Sequence, residues 1–328
     1  MKKASRKKAT TRLRELLARG DVLVAPGAYD ALTAMIYAKQ GFEAVYMTGY
    51  GTAAALGMPD AGLATMEEMV RNARYIANAV PIPLISDADT GYGNVVNLVR
   101  TVREFIQAGV AGVHLEDQVT PKRCGHVAGK RVVPLDEAVG KIRAAVDIRD
   151  QYDPDFVIIA RTDARGAVGG SFEEAVRRGN AYAEAGADLV FFEAPLSEDE
   201  VGRAVREIKA KIVIHCGGLT PYISLARMHE LGIALTILPG LACEGAVARA
   251  VYDAGLLVKQ HGIDGYRQVL ESLKGHPMED FNEFIGFGDV REIESRYLPP
   301  EESAKYQTSI GYAPTGPVAD PDPPDGRA

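Results

Sequence analysis

Residues 84–94, LISDADTGYGN, and 112–126, GVHLEDQVTPKRCGH, carry two short apolar runs that each end in acidic residues. Asp87 and Asp89 stand two apart, so on a strand their side chains leave from the same face. Glu116 and Asp117 end the second run in the same way. Between the runs, residues 94–108 have apolar side chains at helical spacing and stop at Gly109, so the stretch reads strand, helix, strand. Neither run alternates between apolar and polar, which suits parallel strands covered on both faces. Acidic residues at strand ends are often no more than solvated caps. Here two clusters end neighbouring strands, and converging oxygen ligands are what a hard divalent cation such as magnesium takes. The basic loop that follows holds Cys124 among Lys122, Arg123 and His126, where cations are expected to favour the thiolate.

Outward from this stretch the same pattern repeats. Apolar runs occur at residues 22–26, 44–48, 83–87, 112–116, 156–161, 189–193, 212–215 and 234–238. Helix-length segments lie between or after them at 30–39, 66–79, 94–108, 135–149, 172–185, 198–209, 221–231 and 241–260, with a further helix at 11–19. Eight strand–helix units in succession predict an α/β fold, a closed (β/α)8 TIM barrel. A doubly wound open sheet is the rival, but no GxGxxG follows the first run and the count of eight favours closure. Thr48, Asp87, Asp89, Glu116, Arg161, Asp163, Glu193 and His215 all fall at or just past the C-terminal ends of their runs. That is the face on which such barrels build their sites.

Residues 1–260 are therefore assigned to the barrel with its N-terminal helix, and 261–312 to an arm of extra C-terminal helices. The arm carries Ile263, Val269, Leu270, Leu273, Phe281, Phe284 and Ile285, more apolar surface than a free arm leaves in water, so it is expected to pack on a neighbouring subunit. Residues 313–328, APTGPVADPDPPDGRA, read as a disordered tail.

Composition sets the remaining bounds. The 328 residues are 47% hydrophobic and 25% charged, as in a globular protein with a substantial core. A net charge of −7 argues against wholesale nucleic-acid binding, and no apolar run reaches membrane-spanning length. Three cysteines argue against a disulfide framework and for a reducing compartment. The start, MKKASRKKATTRLRELL, is basic but lacks the apolar core of a secretory signal. It reads as a solvated entry to the first helix rather than a transit peptide. A cytoplasmic location is expected.

PKRCGH closely resembles the K-K/R-C-G-H signature of isocitrate and methylisocitrate lyases. SDADTGYGN, LEDQ, ARTDA and FFEAP recur in the same order in the isocitrate lyase/phosphoenolpyruvate mutase superfamily, and the likeness spans residues 22–253. The single-barrel length looks more like methylisocitrate and dimethylmalate lyases than the longer isocitrate lyases. The resemblance implies that Asp87 and Asp89 hold magnesium (manganese being the alternative), with Glu116 and Asp60 in its outer shell. It implies that Thr48, Gly49 and Tyr50 form a loop cradling the substrate carboxylate through backbone N–H groups. Arg161 would also bind the acid, Glu193 would help position it, and Tyr46 would lie near the reacting hydroxyl. Cys124 would be the acid/base of a mobile loop whose Gly125 and His126 also meet the substrate. His114 is expected to be structural, and Cys216 and Cys243 to be packing residues.

The implied reaction is a magnesium-dependent carbon–carbon lyase step on a small 2-hydroxy acid, a substituted malate of the 2-methylisocitrate or 2,3-dimethylmalate kind, giving a 2-oxo acid and a carboxylic acid. Oxaloacetate hydrolysis or decarboxylation, or phosphonate chemistry, on the same metal–enolate site is the alternative. A non-catalytic ligand-binding barrel is the alternative of another class. A helix-swapped homotetramer is implied as well. The chain departs from the family pattern at two places. His215 stands near a position where the tricarboxylate-cleaving relatives have an asparagine, and Glu244 near an arginine, with Arg249 a turn later. An acid in place of a cation predicts a substrate with fewer carboxylates, or one with a hydroxyl or amine that His215 and Glu244 bind.

Overall fold

A computed structural model of the chain describes residues 7–303 and 305–314. The first six residues, and all but the first two of the expected tail, lie outside the described residues. The eight strands are β1 (Leu23–Ala28), β2 (Val45–Met47), β3 (Leu84–Asp87), β4 (Gly112–Glu116), β5 (Val157–Thr162), β6 (Leu189–Phe192), β7 (Lys211–His215) and β8 (Ile233–Leu238). All neighbours pair in parallel, and β1 pairs with both β2 and β8, so the barrel closes as expected. A register irregularity at Ile212/Val213 marks the β7–β8 seam.

The surrounding helices are α2 (Ala31–Lys39), α3 (Gly49–Ala55), α4 (Met66–Ala79), α5 (Val95–Gln107), α6 (Leu135–Tyr152), α7 (Phe172–Glu184), α8 (Glu198–Glu207) and α9 (Leu225–Leu231). Their starts follow from local chemistry. Asp30 with Thr33, and Thr65 with Glu68, form reciprocal capping boxes, while the Ser171 and Ser197 hydroxyls accept the N–H groups of Glu174 and Glu200. The glycine that stops α5, Gly109, has φ +86°, a conformation other residues rarely adopt. Buried helix faces (Ile76, Leu98, Val102, Phe105, Tyr182) pack on the outward-facing strand residues to make the outer core.

A second apolar column fills the barrel axis with Ala25, Ile85, Ile159, Phe191, Val213, Leu235 and Ile237. Its lower end is closed by α1 (Ala9–Ala18), whose Leu13, Leu16 and Leu17 join the same column. Arg14 fixes that helix: its guanidinium donates to the carbonyls of Pro154, Asp155 and Phe156 and pairs with Asp188 at 3.0 Å.

Three expectations need correction. Residues 49–55, expected to begin as a loop, are the helix α3, because the Thr48 side chain caps it by accepting the Gly51 N–H at 3.1 Å. The helix expected from residue 221 begins at Leu225, where the Ser224 hydroxyl accepts the Arg227 N–H. The helix expected at 241–260 opens as a π-helix, Leu241–Val247, before α10 (Ala248–His261).

The chain divides into two compact units that part between Arg249 and Ala250. The second unit includes α11 (Ile263–Glu271), α12 (Phe281–Phe284) and α13 (Phe287–Tyr297). It leaves Ile263 81% exposed, along with Tyr266, Leu270, Phe281, Ile285 and Ile293. Among the described residues no helix is long and apolar enough to cross a membrane.

Candidate active site

The ends of the barrel strands open into a cavity of about 450 Å³. It is lined by Tyr46, Thr48, Tyr50, Asp60, Asp87, Cys124, Gly125, His126, Arg161, Glu193, His215 and Glu244, so most of the expected site residues meet in one place. Asp89 does not line it; it faces a second cavity of about 410 Å³ together with Lys122. Glu116 lies behind Arg161, its Oε2 3.4 Å from the guanidinium Nε.

Asp87 ends β3 and gathers donors. It accepts the N–H of Asp89 at 2.9 Å, the N–H of Gly49 at 3.2 Å and the Tyr46 hydroxyl at 3.3 Å. A Cβ on Gly49 would overlap Asp87 Oδ2, so only glycine allows this approach. The Gly49 amide, expected to hold substrate, is thus spent on Asp87, and that of Gly51 on Thr48. Burial opposes ionisation of Asp87, yet His114, Lys122, Arg161 and the Asp89 N–H bring its pKa down to about 2. His114 is itself pushed down to about 4 by burial, so near pH 7 the cations Lys122 and Arg161 carry that effect. The His114 ring stacks on Tyr46 with Nε2 2.6 Å from the phenol oxygen.

Asp89 behaves oppositely. Burial, aided by Asp87 and Asp60, pushes its carboxyl up to about 6 against the pull of Lys122. Lys122 is only 4% exposed; its ammonium bridges Asp60 and lies 2.7 Å from Asp89 Oδ1. The pair is lopsided because Lys122 has four carboxylates around it, whereas Asp89 has that one cation. The donors here are of the type a hard cation takes, although among the described residues no three of them are gathered into a metal-holding group while Lys122 pairs with Asp60 and Asp89. They are all carboxylate oxygens, and both oxygens of Glu116 are buried without a hydrogen-bond partner. Asp89 Oδ1 meets the Lys122 charge but no aligned hydrogen bond.

Arg161, at the end of β5, is held flat by a two-point pairing to Asp163, Nε to Oδ2 at 2.8 Å and Nη2 to Oδ1 at 3.0 Å. Glu193 Oε1 stands 3.5 Å from Arg161 Nη2, and Glu193 Oε2 is buried without a partner. Phe191 lies under the guanidinium, 5.1 Å from its centre.

The loop from Gln118 to Val132, joined at its ends by an antiparallel bridge, covers this group. Cys124 N–H donates to the Asp60 carbonyl at 3.1 Å, and Gln118 exchanges two hydrogen bonds with Arg123. Lys130, 2% exposed, donates to the Gly125 carbonyl and pairs with Asp163 at 3.2 Å. A Cβ on Gly125 would overlap both Glu193 Oε1 and Arg161 Nη2, so the loop backbone lies directly on these side chains. The thiolate expected at Cys124 is not favoured. Burial raises the thiol pKa, because Lys122 has turned to Asp60 and Asp89 and does not offset the desolvation.

Sequence reasoning treated Lys122 only as a neighbour of Cys124 and did not single out Lys130 at all. Their signal was two lysines in a loop that also holds the cysteine, but nothing local says that a lysine turns inward. Asp117, named with Glu116 in the second acidic cluster, turns away into the packing under the site, where it accepts from the Tyr182 hydroxyl at 2.6 Å, from Arg178 at 3.2 Å and from the Asp163 N–H at 2.9 Å.

Residues 13–256 match the family described as phosphoenolpyruvate phosphomutase. The chain is 46% identical over 289 residues to the 2,3-dimethylmalate lyase of Eubacterium barkeri, covering 87% of this chain and 97% of that protein. It is 39% identical over 307 residues to the 2-methylisocitrate lyase of Aeropyrum pernix, covering 90% and 94%. Among solved structures, an oxaloacetate acetylhydrolase bound to 3,3-difluorooxalacetate superposes with a TM-score of 0.81 at 36% identity, over 88% of this chain and 96% of that one. A 2,3-dimethylmalate lyase of the PEP mutase/isocitrate lyase superfamily gives 0.81 at 35%, over 93% and 99%. A phosphonopyruvate hydrolase complex with oxalate and Mg²⁺ gives 0.79 at 32%, over 89% and 100%.

Proposed function

The chain belongs to the PEP mutase/isocitrate lyase superfamily and is a carbon–carbon lyase, and on that premise we propose that it cleaves a substituted malate into a 2-oxo acid and a second carboxylic acid. The observation that carries this reading is that one cavity joins Asp87 and Arg161, at the acid-binding end, with Cys124 from the covering loop. Asp87 and Asp89 would hold magnesium, or manganese, with Asp60 and Glu116 around it. When bound, the cation supplies charge for the oxyanion that develops as the carbon–carbon bond breaks.

The chain's own groups do the rest. Arg161 binds the 2-oxo acid end, held in plane by Asp163, and Glu193 positions both Arg161 and the ligand. Tyr46 keeps its proton, since burial beside Asp87 holds the phenol well above its ordinary value. Its hydrogen is turned to Asp87 at 3.3 Å, so the hydroxyl would serve the substrate oxygen only by turning from Asp87 when the acid binds. Cys124 meets the departing carbanion as a protonated thiol, and the raised pKa suits a group that must deliver a proton rather than attack. The loop over the cavity keeps water from that carbanion.

Glu244 supports a preference among substrates. Its Oε2 accepts the Tyr50 hydroxyl at 2.9 Å on the cavity wall, whereas Arg249 is exposed and does not line the cavity. Glu244 is exposed, as Arg249 is, so solvent weakens its field, but a third substrate carboxylate would still meet a like charge on the cavity wall. We expect magnesium-dependent release of pyruvate or glyoxylate from a panel of substituted malates, with 2,3-dimethylmalate-like compounds cleaved faster than 2-methylisocitrate or isocitrate. Faster cleavage of the tricarboxylates would reject the role given to Glu244; release of no 2-oxo acid from any would reject the lyase reading.

A second reading, oxaloacetate hydrolysis or decarboxylation, is favoured by the likeness to oxaloacetate acetylhydrolase at a TM-score of 0.81. Decarboxylation needs no thiol, so Cys124→Ala should leave oxaloacetate consumption largely intact while crippling malate cleavage. Three free cysteines fit a cytoplasmic site of action. The apolar side chains left exposed on α11 to α13 support a homotetramer in which the helices after Gln260 pack on, or exchange with, a neighbour. Light scattering at micromolar concentration is expected to give four times the chain mass; a monomer mass would contradict it.

A further inference from the structure

The two histidines of the cavity are wired in one direction. The backbone N–H of Leu219 donates to His126 Nδ1 at 2.9 Å. A ring nitrogen that accepts carries no hydrogen, so the neutral His126 ring has its hydrogen on Nε2. Burial lowers the His126 pKa and keeps the ring neutral. That Nε2 lies 2.9 Å from His215 Nδ1 and 3.2 Å from Glu193 Oε1, with the two rings almost perpendicular at 89°. Hydrogens on both facing nitrogens would collide within 2.9 Å, so His215 Nδ1 is the acceptor. His215, pushed down to about 3 by burial and by His126 and Arg161, is neutral near pH 7. Its single ring hydrogen is left on Nε2. A Cβ built on Gly217, another residue of the cavity wall, would stand 3.6 Å from that nitrogen.

We infer that the relay from Leu219 through His126 fixes His215 as an N–H donor to the substrate's substituent, and that this substituent ends in an uncharged oxygen, a hydroxyl or carbonyl. The inference rests on the lyase reading above. An alkyl group gives the donor nothing to bind, and an ammonium has no lone pair to offer it. A carboxylate would accept the hydrogen, but the neutral ring brings no charge to offset Glu244 in the same cavity. His126 is in this account a positioning residue, acting through His215.

The test compares an isosteric substrate pair, 2-methyl-3-(hydroxymethyl)malate and 2-methyl-3-ethylmalate, together with ring ¹⁵N spectra of the histidine-labelled full chain. For the wild type we expect kcat/KM about 10-fold higher for the hydroxymethyl compound, the worth of one net hydrogen bond. His215→Leu should bring the pair to parity. The spectra, with His215 assigned by its loss in that variant, should show hydrogen on Nε2, and His126→Phe should mix the two tautomers. No wild-type preference, a preference that survives His215→Leu, or hydrogen on His215 Nδ1 would each overturn the inference. A wild type that cleaves neither compound nor any other malate rejects the lyase reading and with it the substrate assignment; the tautomer then stands or falls on the spectra alone.

Discussion

Asp89→Asn is expected to lower turnover by at least about 10³-fold, since a metal-held oxyanion is worth several kcal/mol of barrier. In chelator at pH 8 the same variant should unfold at a higher temperature than the wild type. The second effect follows from the environment of Asp89. Burial beside Asp87 and Asp60 raises its folded pKa to about 6 from an ordinary 3.8. A carboxyl that holds its proton more tightly when folded stabilises the fold below about pH 4 and loses that contribution as pH rises through about 6. Asparagine never ionises and avoids the loss. The gain in midpoint should therefore be present at pH 8 and gone by pH 4. A shift independent of pH would remove the raised Asp89 carboxyl as its cause, and turnover that persists in chelator would remove Asp89 from the metal site. Asp87 gives the contrast: with three donors turned on it, Asp87→Ala should lose both turnover and stability.

Cys124→Ser is the other large effect. Turnover should fall by roughly 10²–10⁴, the usual worth of a positioned general acid. A serine hydroxyl is a far weaker acid than a thiol, even one raised by burial. Binding should survive, because the Cys124 contact to Asp60 is made by its backbone N–H and not by sulfur. Magnesium with oxalate should therefore raise the unfolding midpoint of the serine variant as much as that of the wild type. Near-native turnover of the variant would take Cys124 out of the mechanism.

The barrel was legible because its information is local. Each strand is a short apolar run, most helices have their period and cap, and the polar residues fall at the same end of six of the eight runs. What sequence reasoning missed depends on contacts between distant positions. Lys122 was read only as a cation beside Cys124 and Lys130 not at all, because the carboxylates that turn them inward, Asp60, Asp89 and Asp163, lie in three other parts of the chain. The family resemblance implied that the Thr48–Tyr50 stretch is a ligand loop; the fold spends the Gly49 amide on Asp87. His126 and His215 are 89 positions apart, so no spacing could announce that their rings meet. The thiol of Cys124 was misjudged for a related reason: flanking charge was visible, burial was not.

The α1 plug has a kinetic consequence. With Leu13, Leu16 and Leu17 filling the base, nothing passes along the barrel axis, and traffic must use the mouth beneath the Cys124 loop. On the roles proposed above, the half-buried Cys124 of that loop would protonate the fragment nearer the exit, and the buried Asp87 and Arg161 would hold the other behind it. The two products must then leave in a fixed order, the carboxylic acid first and the 2-oxo acid last. In initial-rate assays the 2-oxo acid should compete directly with the substrate for the free enzyme, whereas the carboxylic acid should not.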